Sequence, residues 1–177
     1  AVSNLASLAA LLAYPWLIEP WLSTATQGMA WSVAYAAYAL ALSGTDLYAG
    51  GTFTTAGGSI ATNVAKWNGS AWSAWERGAN NEVRALAVSG SDLYVGGLFN
   101  TAGGISASRV AKWNGSAWSA LGAGAASAVY ALAVSGSDLY AGGDFRTAGG
   151  VAANYIAKWN GSSWSALGSG MGGAYRV

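Results

Sequence analysis

"AKWNGSAWSA" occupies residues 65–74, recurs unchanged at 111–120 and returns as "AKWNGSSWSA" at 157–166. The interval is constant: Leu47, Leu93 and Leu139 stand 46 residues apart, and so do Asn68, Asn114 and Asn160. Residues 85–130 and 131–176 share 31 identities in 46 positions. A fixed period of this size marks a chain built from repeated supersecondary units, none of which can bury its apolar face alone.

Within one repeat, four segments read as strands: "VRALAVSG" (83–90), "DLYVGGLF" (92–99), "RVAKWN" (109–114) and "AWSAL" (117–121). The cluster Ser89-Gly90-Ser91-Asp92 turns the first pair into a hairpin. Asn114-Gly115 predicts the tip of the second hairpin, as a type I′ turn with positive φ at both residues. Trp113 precedes that tip and Trp118 follows it, so their rings are expected on sheet faces between neighbouring units. Six such rings, at 150–250 Å² each, would contribute on the order of 25–35 kcal/mol of gross burial. A sugar-stacking platform is the functional alternative for the same rings. The predicted fold is mostly β: three four-stranded antiparallel propeller blades over about 37–82, 83–128 and 129–174.

"DLYVGG" (92–97) resembles the strand-ending Gly-Gly of kelch repeats. "VAKWNGSAWSALG" (110–122) is similar to the kelch segment in which an aromatic residue, a turn and a tryptophan follow in order. The resemblance covers about 37–177. It departs from kelch at Trp113, where the family usually has Tyr, and in the "TAGG" loops (101–104), which look more like bacterial secreted propeller repeats. It implies a noncatalytic module for binding or structural display. It also implies an extracellular or cell-envelope location in a bacterium, as part of a longer protein.

Composition excludes a good deal. Only 8% of residues are charged, against about a quarter in an average soluble protein, while 26 are glycine. The net charge is +1, and the eight basic residues are scattered singly from Lys66 to Arg176, so no stripe exists to neutralise phosphates and nucleic acid is not an expected partner. With no cysteine and no histidine, the chain lacks disulfides, thiolate ligands, the commonest general base and the commonest metal ligand. No cofactor and no metal are expected, and the chain reads as no enzyme. A copper oxidase of the kind found on kelch-like propellers would need histidine ligands and a cysteine-linked tyrosine.

Several recurring residues have simple structural readings. Asp46, Asp92 and Asp138 stand in turns, where Asp commonly bonds local backbone. A carboxylate ring around a cation is the sharper alternative, but each acid lacks a second oxygen ligand at calcium-site spacing. Lys66, Lys112 and Lys158 read as solvated strand residues or partners of nearby acids. The Asn-Gly-Ser triplets at 68, 114 and 160 match the N-glycosylation pattern, yet a turn already explains them. No Lys-Ser/Thr and no helix pattern follows the "TAGG" loops at 55–58, 101–104 and 147–150, which weakens a phosphate-binding reading.

Differences between repeats are more informative about binding. Residues 59–63, 105–109 and 151–155 read "SIATN", "ISASR" and "VAANY", and Leu98 and Asn100 become Asp144 and Arg146. The candidate ligand-binding residues are therefore Arg109, Asp144, Arg146, Asn154 and Tyr155, with a protein or carbohydrate as ligand. Drift in unconstrained loops is the bland alternative.

Residues 1–36 carry none of the repeat. Two apolar stretches, 5–18 and 28–42, flank Glu19-Pro20, and helices are expected over 4–14 and 22–34. Residues 3–42 resemble membrane segments of integral-membrane proteins associated with spermidine-synthase-like domains, without any motif for aminopropyl transfer. This implies the rival reading: a membrane-anchored or transporter-related protein with membrane contact through 1–36 and an appended propeller. The run Tyr38-Ala39-Leu40-Ala41-Leu42 fits both the end of an apolar helix and a first blade strand matching Tyr130-Ala131-Leu132. The end at Val177 falls at the start of what would be a fourth blade, as expected for a piece of a longer reading frame. Three blades also leave an apolar face at each end, so self-association through open faces is expected, with two chains supplying six blades of a ring.

Overall fold

The computed structural model describes residues 37–75 and 77–172. The helices expected over 4–14 and 22–34 lie outside the described residues. The first blade comprises β1 (Ala37–Ser43), β2 (Asp46–Gly51), β3 (Thr55–Ala56), β4 (Ser59–Ile60), β5 (Val64–Trp67) and β6 (Trp72–Ala74). The second repeats it as β7 (Val83–Ser89), β8 (Asp92–Gly97), β9 (Thr101–Ala102), β10 (Ile105–Ser106), β11 (Val110–Trp113) and β12 (Trp118–Ala120). The third has β13 (Val129–Ser135), β14 (Asp138–Gly143), β15 (Thr147–Ala148), β16 (Val151–Ala152), β17 (Ile156–Trp159) and β18 (Trp164–Ala166). Each blade is a four-stranded antiparallel sheet, ordered β1-β2-β5-β6 in the first and likewise in the others, with a two-stranded ribbon between its second and third strands. The chain is mostly β and propeller-like, and the first strands β1, β7 and β13 pack side by side as its inner layer.

The second hairpin of each blade differs from the expected turn. Trp113 pairs with Trp118 across a four-residue loop. Gly115 has φ +95°, whereas Asn114 is not in the left-handed region. Asn114 acts through its side chain instead: Oδ1 accepts from the backbone N–H of Ser116 at 3.0 Å and of Ala117 at 2.9 Å, an Asx turn. Consecutive positive φ values, the pattern of a type I′ turn, belong to Gly103 (+59°) and Gly104 (+83°) at the tip of the β9–β10 ribbon. The "TAGG" segments are thus ribbon tips. Strands of two residues are too short to show an alternating pattern in sequence.

The core lies in the seams between blades. In the first seam, Ala39, Ala41 and Tyr48 of the first blade meet Leu86, Leu93 and Trp113 of the second. In the second, Tyr94, Val110 and Leu121 of the second blade meet Leu132, Leu139 and Trp164 of the third. Trp113, Trp118 and Trp164 are buried as expected, while Trp67, Trp72 and Trp159 are half-buried. Trp75, outside the six, also fills the first seam. It stacks on Tyr48 at 4.6 Å and meets Trp113 edge-on at 5.4 Å. The equivalent residue in the second seam is Leu121, whose carbonyl accepts the Trp164 indole N–H at 2.7 Å. Behind the bulkier Trp75, the Trp118 indole N–H is buried without a partner.

Backbone hydrogen bonds stitch each seam. Asn80 N–H donates to Thr101 C=O at 3.1 Å, and Gly103 N–H donates to Gly78 C=O at 2.8 Å. One blade later, Ala126 donates to Thr147 at 3.0 Å and Gly149 to Gly124 at 2.7 Å. The segment leaving each blade therefore extends the ribbon of the next.

Candidate functional site

In each blade the pairing of Val83 with Gly97, and of Val129 with Gly143, sets the start of the inner strand beside the loop that follows the second strand. The variable loop residues and the first residues of the inner strands therefore share one end of the molecule. Positions 38, 84 and 130 are equivalent and read Tyr, Arg, Tyr. Their side chains form a row: the Arg84 guanidinium lies 5.3 Å from the Tyr38 ring centre and 5.5 Å from that of Tyr130. Glu82 Oε2 accepts from Arg84 at 2.6 Å and fixes the guanidinium between the rings. That hydrogen bond also raises the Arg84 pKa. Cation–π contacts of this kind are worth about 0.5–1 kcal/mol at exposed sites.

The row continues into the third blade's loop. The Tyr130 hydroxyl donates to Asp144 Oδ2 at 2.8 Å, and this bond to a carboxylate raises the tyrosine pKa, so the proton stays on the phenol. Two residues on, Arg146 donates to the Tyr155 hydroxyl at 2.8 Å and lies 5.2 Å from its ring centre. Phe145 between them is fully buried and anchors the loop. Asn154 instead turns to the Ser169 carbonyl at 3.1 Å, and Arg109 holds the place of Tyr155 one blade earlier. Of the five residues singled out by sequence, Asp144, Arg146 and Tyr155 thus join hydrogen-bonded pairs on this surface. Tyr38, Glu82, Arg84 and Tyr130 were missed; the alternation Tyr, Arg, Tyr at one repeat position was the available signal.

One conformational fact bears on the choice between drift and selection. Asn63, Arg109 and Tyr155 occupy one repeat position and all have positive φ, at +61°, +62° and +65°. Asn suits this region, and Asn63 also uses its side chain structurally, donating to Ala79 C=O at 2.9 Å and accepting from Phe53 N–H at 3.1 Å. Arg and Tyr gain nothing from the left-handed backbone and pay roughly 1–2 kcal/mol to adopt it. Unconstrained change at this position would run toward Gly or Asn.

The recurrent acids have another role than the local backbone bonding expected of them. Asp46 pairs with Lys66 at 2.6 Å, Asp92 with Lys112 at 2.7 Å and Asp138 with Lys158 at 3.1 Å. The lysine lies on the third strand beside the second, within reach of the turn, and is the partner of a nearby acid that its sequence reading allowed. In each case the hydrogen bond the lysine donates to the acid raises the lysine pKa. A lysine pKa raised in the folded state stabilises below the unfolded value of about 10.4 and stops doing so as pH rises through the folded value. Lys112→Met is accordingly expected to cost at most about 1 kcal/mol at neutral pH, because the pair is about a third exposed. The Tm values of variant and wild type should converge as pH rises beyond the unfolded value of about 10.4 and through the raised folded value, where the wild-type lysine loses its proton; a gap that stays constant with pH would exclude the ion pair as its cause.

Among the described residues no cluster of three or more acids exists that could hold a metal ion, and no helix is long and apolar enough to cross a membrane. No family model and no curated protein matches the chain. Among solved structures the chain is similar to the computationally designed Ika8 protein, at 21% identity and a TM-score of 0.51, over 76% of this chain. It spans 37% of that protein's length, and at this identity the likeness speaks to the propeller-like fold alone.

Proposed function

We propose that the repeats form a noncatalytic kelch-like β-propeller module for binding or structural display, part of a longer extracellular bacterial protein. The observation that carries this reading is the surface running from Tyr38 through Arg84 and Tyr130 to Asp144, Arg146 and Tyr155. It gathers aromatic rings, guanidinium groups and a carboxylate where the repeats differ, while the residues the blades share are spent on turns, seams and Asp–Lys pairs. Tyrosine and arginine are the side chains that contribute most at binding surfaces, because they combine large rigid area with directed polar groups. Their mutual contacts hold them in place before a ligand arrives.

The ligand chemistry that suits such a surface is a carbohydrate stacked on the tyrosine rings or an extended peptide bearing acidic and aromatic groups. Binding to a glycan array or a peptide array is expected for the wild-type chain and lost in Arg84→Ala and Tyr130→Ala. Both side chains are well exposed, so Tm should change by no more than a few degrees. Silence of the folded wild-type chain on both arrays would refute the binding role.

A further inference from the structure

We infer that two copies of this 177-residue stretch join head to tail wherever no further repeat takes those places, the outward face of the third blade docking on the outward face of the first and reproducing the seam between consecutive blades. Three independent features of the two faces match.

The first is apolar. Leu121, in the second seam, is 2% exposed, whereas its equivalent Leu167 at the outward face of the third blade is 37% exposed. On the opposite side, Leu86 and Leu132 are buried in their seams, whereas the equivalent Leu40 is half-buried and Leu42 beside it is 70% exposed. The tryptophan pair that would receive Leu167 is already formed. Trp67 and Trp72 lie 5.7 Å apart with their planes at 51°, matching Trp159 and Trp164 at 5.5 Å and 52°, the pair that borders Leu121 in the second seam.

The second is steric. Gly50 and Gly96 leave space that the next blade fills. A Cβ on Gly96 would stand 2.7 Å from Val129 Cγ1 and 3.2 Å from Leu132 Cδ1, and one on Gly50 would meet Val83 and Leu86 in the same way. At the equivalent Gly142 a Cβ would meet only its own blade, Ala131 Cβ at 3.7 Å and Tyr155 O at 3.8 Å. The hollow that takes Leu86 and Leu132 elsewhere is empty there among the described residues, and Leu40 is the residue that fits it.

The third is the backbone. The stitching bonds join Thr101 to Asn80, and Gly103 to Gly78, with the same pair of bonds one repeat later. Counting by the repeat, the first blade's ribbon offers Thr55 C=O and Gly57 N–H, and the third blade's exit segment offers Gly172 N–H and Gly170 C=O. Each donor of one end faces an acceptor of the other. Among the described residues nothing pairs with this ribbon edge; such an edge templates pairing with another chain, and a head-to-tail contact closes into rings or runs into strings according to its rotation.

Two variants of the 177-residue chain separate this contact from other association. Gly142→Leu fills the hollow on the third blade's face, and Leu40→Asp charges the first blade's face, with Leu42→Asp as its replacement should the half-buried site fail to fold. By light scattering at micromolar concentration, the wild type is expected as a dimer or larger assembly. Each variant alone is expected as a folded monomer with an unchanged circular dichroism spectrum. Their equimolar mixture should form a one-to-one dimer, since each supplies the intact face that the other lacks. A monomeric wild type, variants that associate as the wild type does, or a mixture that stays monomeric would each overturn the inference.

Discussion

Gly124→Ala is expected to lower stability by about 3 kcal/mol or more, from two causes that add. The residue has φ +69°, a region that costs an alanine roughly 1 kcal/mol, and its missing side chain is also required by the chain crossing it. An added Cβ would overlap the Ser108 carbonyl, which is backbone and cannot swing aside. Nor can Gly124 retreat, because its N–H donates to Leu121 C=O at 3.0 Å and its C=O accepts from Gly149 N–H at 2.7 Å. Any shift breaks the stitch between the second and third blades. Gly136→Ala is the control: φ is +59°, with nothing within 4 Å of the added Cβ, so only the conformational cost of about 1 kcal/mol applies. Urea denaturation of the two variants separates the causes, and equal losses would mean that the crossing is not tightly packed.

The repeat made the strand order legible because it is carried by residues with strong local preferences. Asn114-Gly115 and Ser89-Gly90-Ser91-Asp92 mark the hairpins in all three copies, and alternation in "RALAV" marks the inner strand. What escaped was carried by positions that change between copies. Trp75 and Leu121 occupy one place with one task, wedging into the next seam, but the change from Trp to Leu hides the equivalence. The left-handed position is visible only at Asn63, since Arg109 and Tyr155 give no sign of positive φ. Tyr38 sits in a run that matches Tyr130-Ala131-Leu132 as a first blade strand but fits the end of an apolar helix equally well, and nothing local marks its ring as a neighbour of Arg84, so most of the candidate surface is hidden in the sequence. The Asp–Lys pairs are twenty residues apart in sequence. Only the cross-strand register of Tyr94 with Lys112, and of its equivalents, brings them together.

Truncating the repeated phenylalanine is expected to cost unequally in the three blades, although the sequence around it is nearly the same. Phe99 and Phe145 are fully buried, each packed within the cluster that fills a seam. Phe99→Ala and Phe145→Ala should each cost about 3–5 kcal/mol, the usual range for removing a buried ring whose neighbours cannot collapse into the space. Phe53 is only half-buried, against the small cluster of Ala56, Ala61 and Ala65 with Trp72 at its edge. Part of its surface is wet already, and the neighbouring alanines form no closed cavity when it goes. Phe53→Ala should therefore cost less than half as much in a monomeric chain. The same three substitutions also read the assembly, because docking of a second copy would cover the first blade's face and draw the Phe53→Ala cost toward the others as concentration rises. In repeat folds each unit is stabilised by its nearest neighbours, so a blade with one neighbour is weaker than a blade with two. Melting curves of Phe53→Ala, Phe99→Ala and Phe145→Ala at two protein concentrations measure that difference. Equal losses at the lowest concentration would show that the first blade's outward face is as well covered as an internal seam.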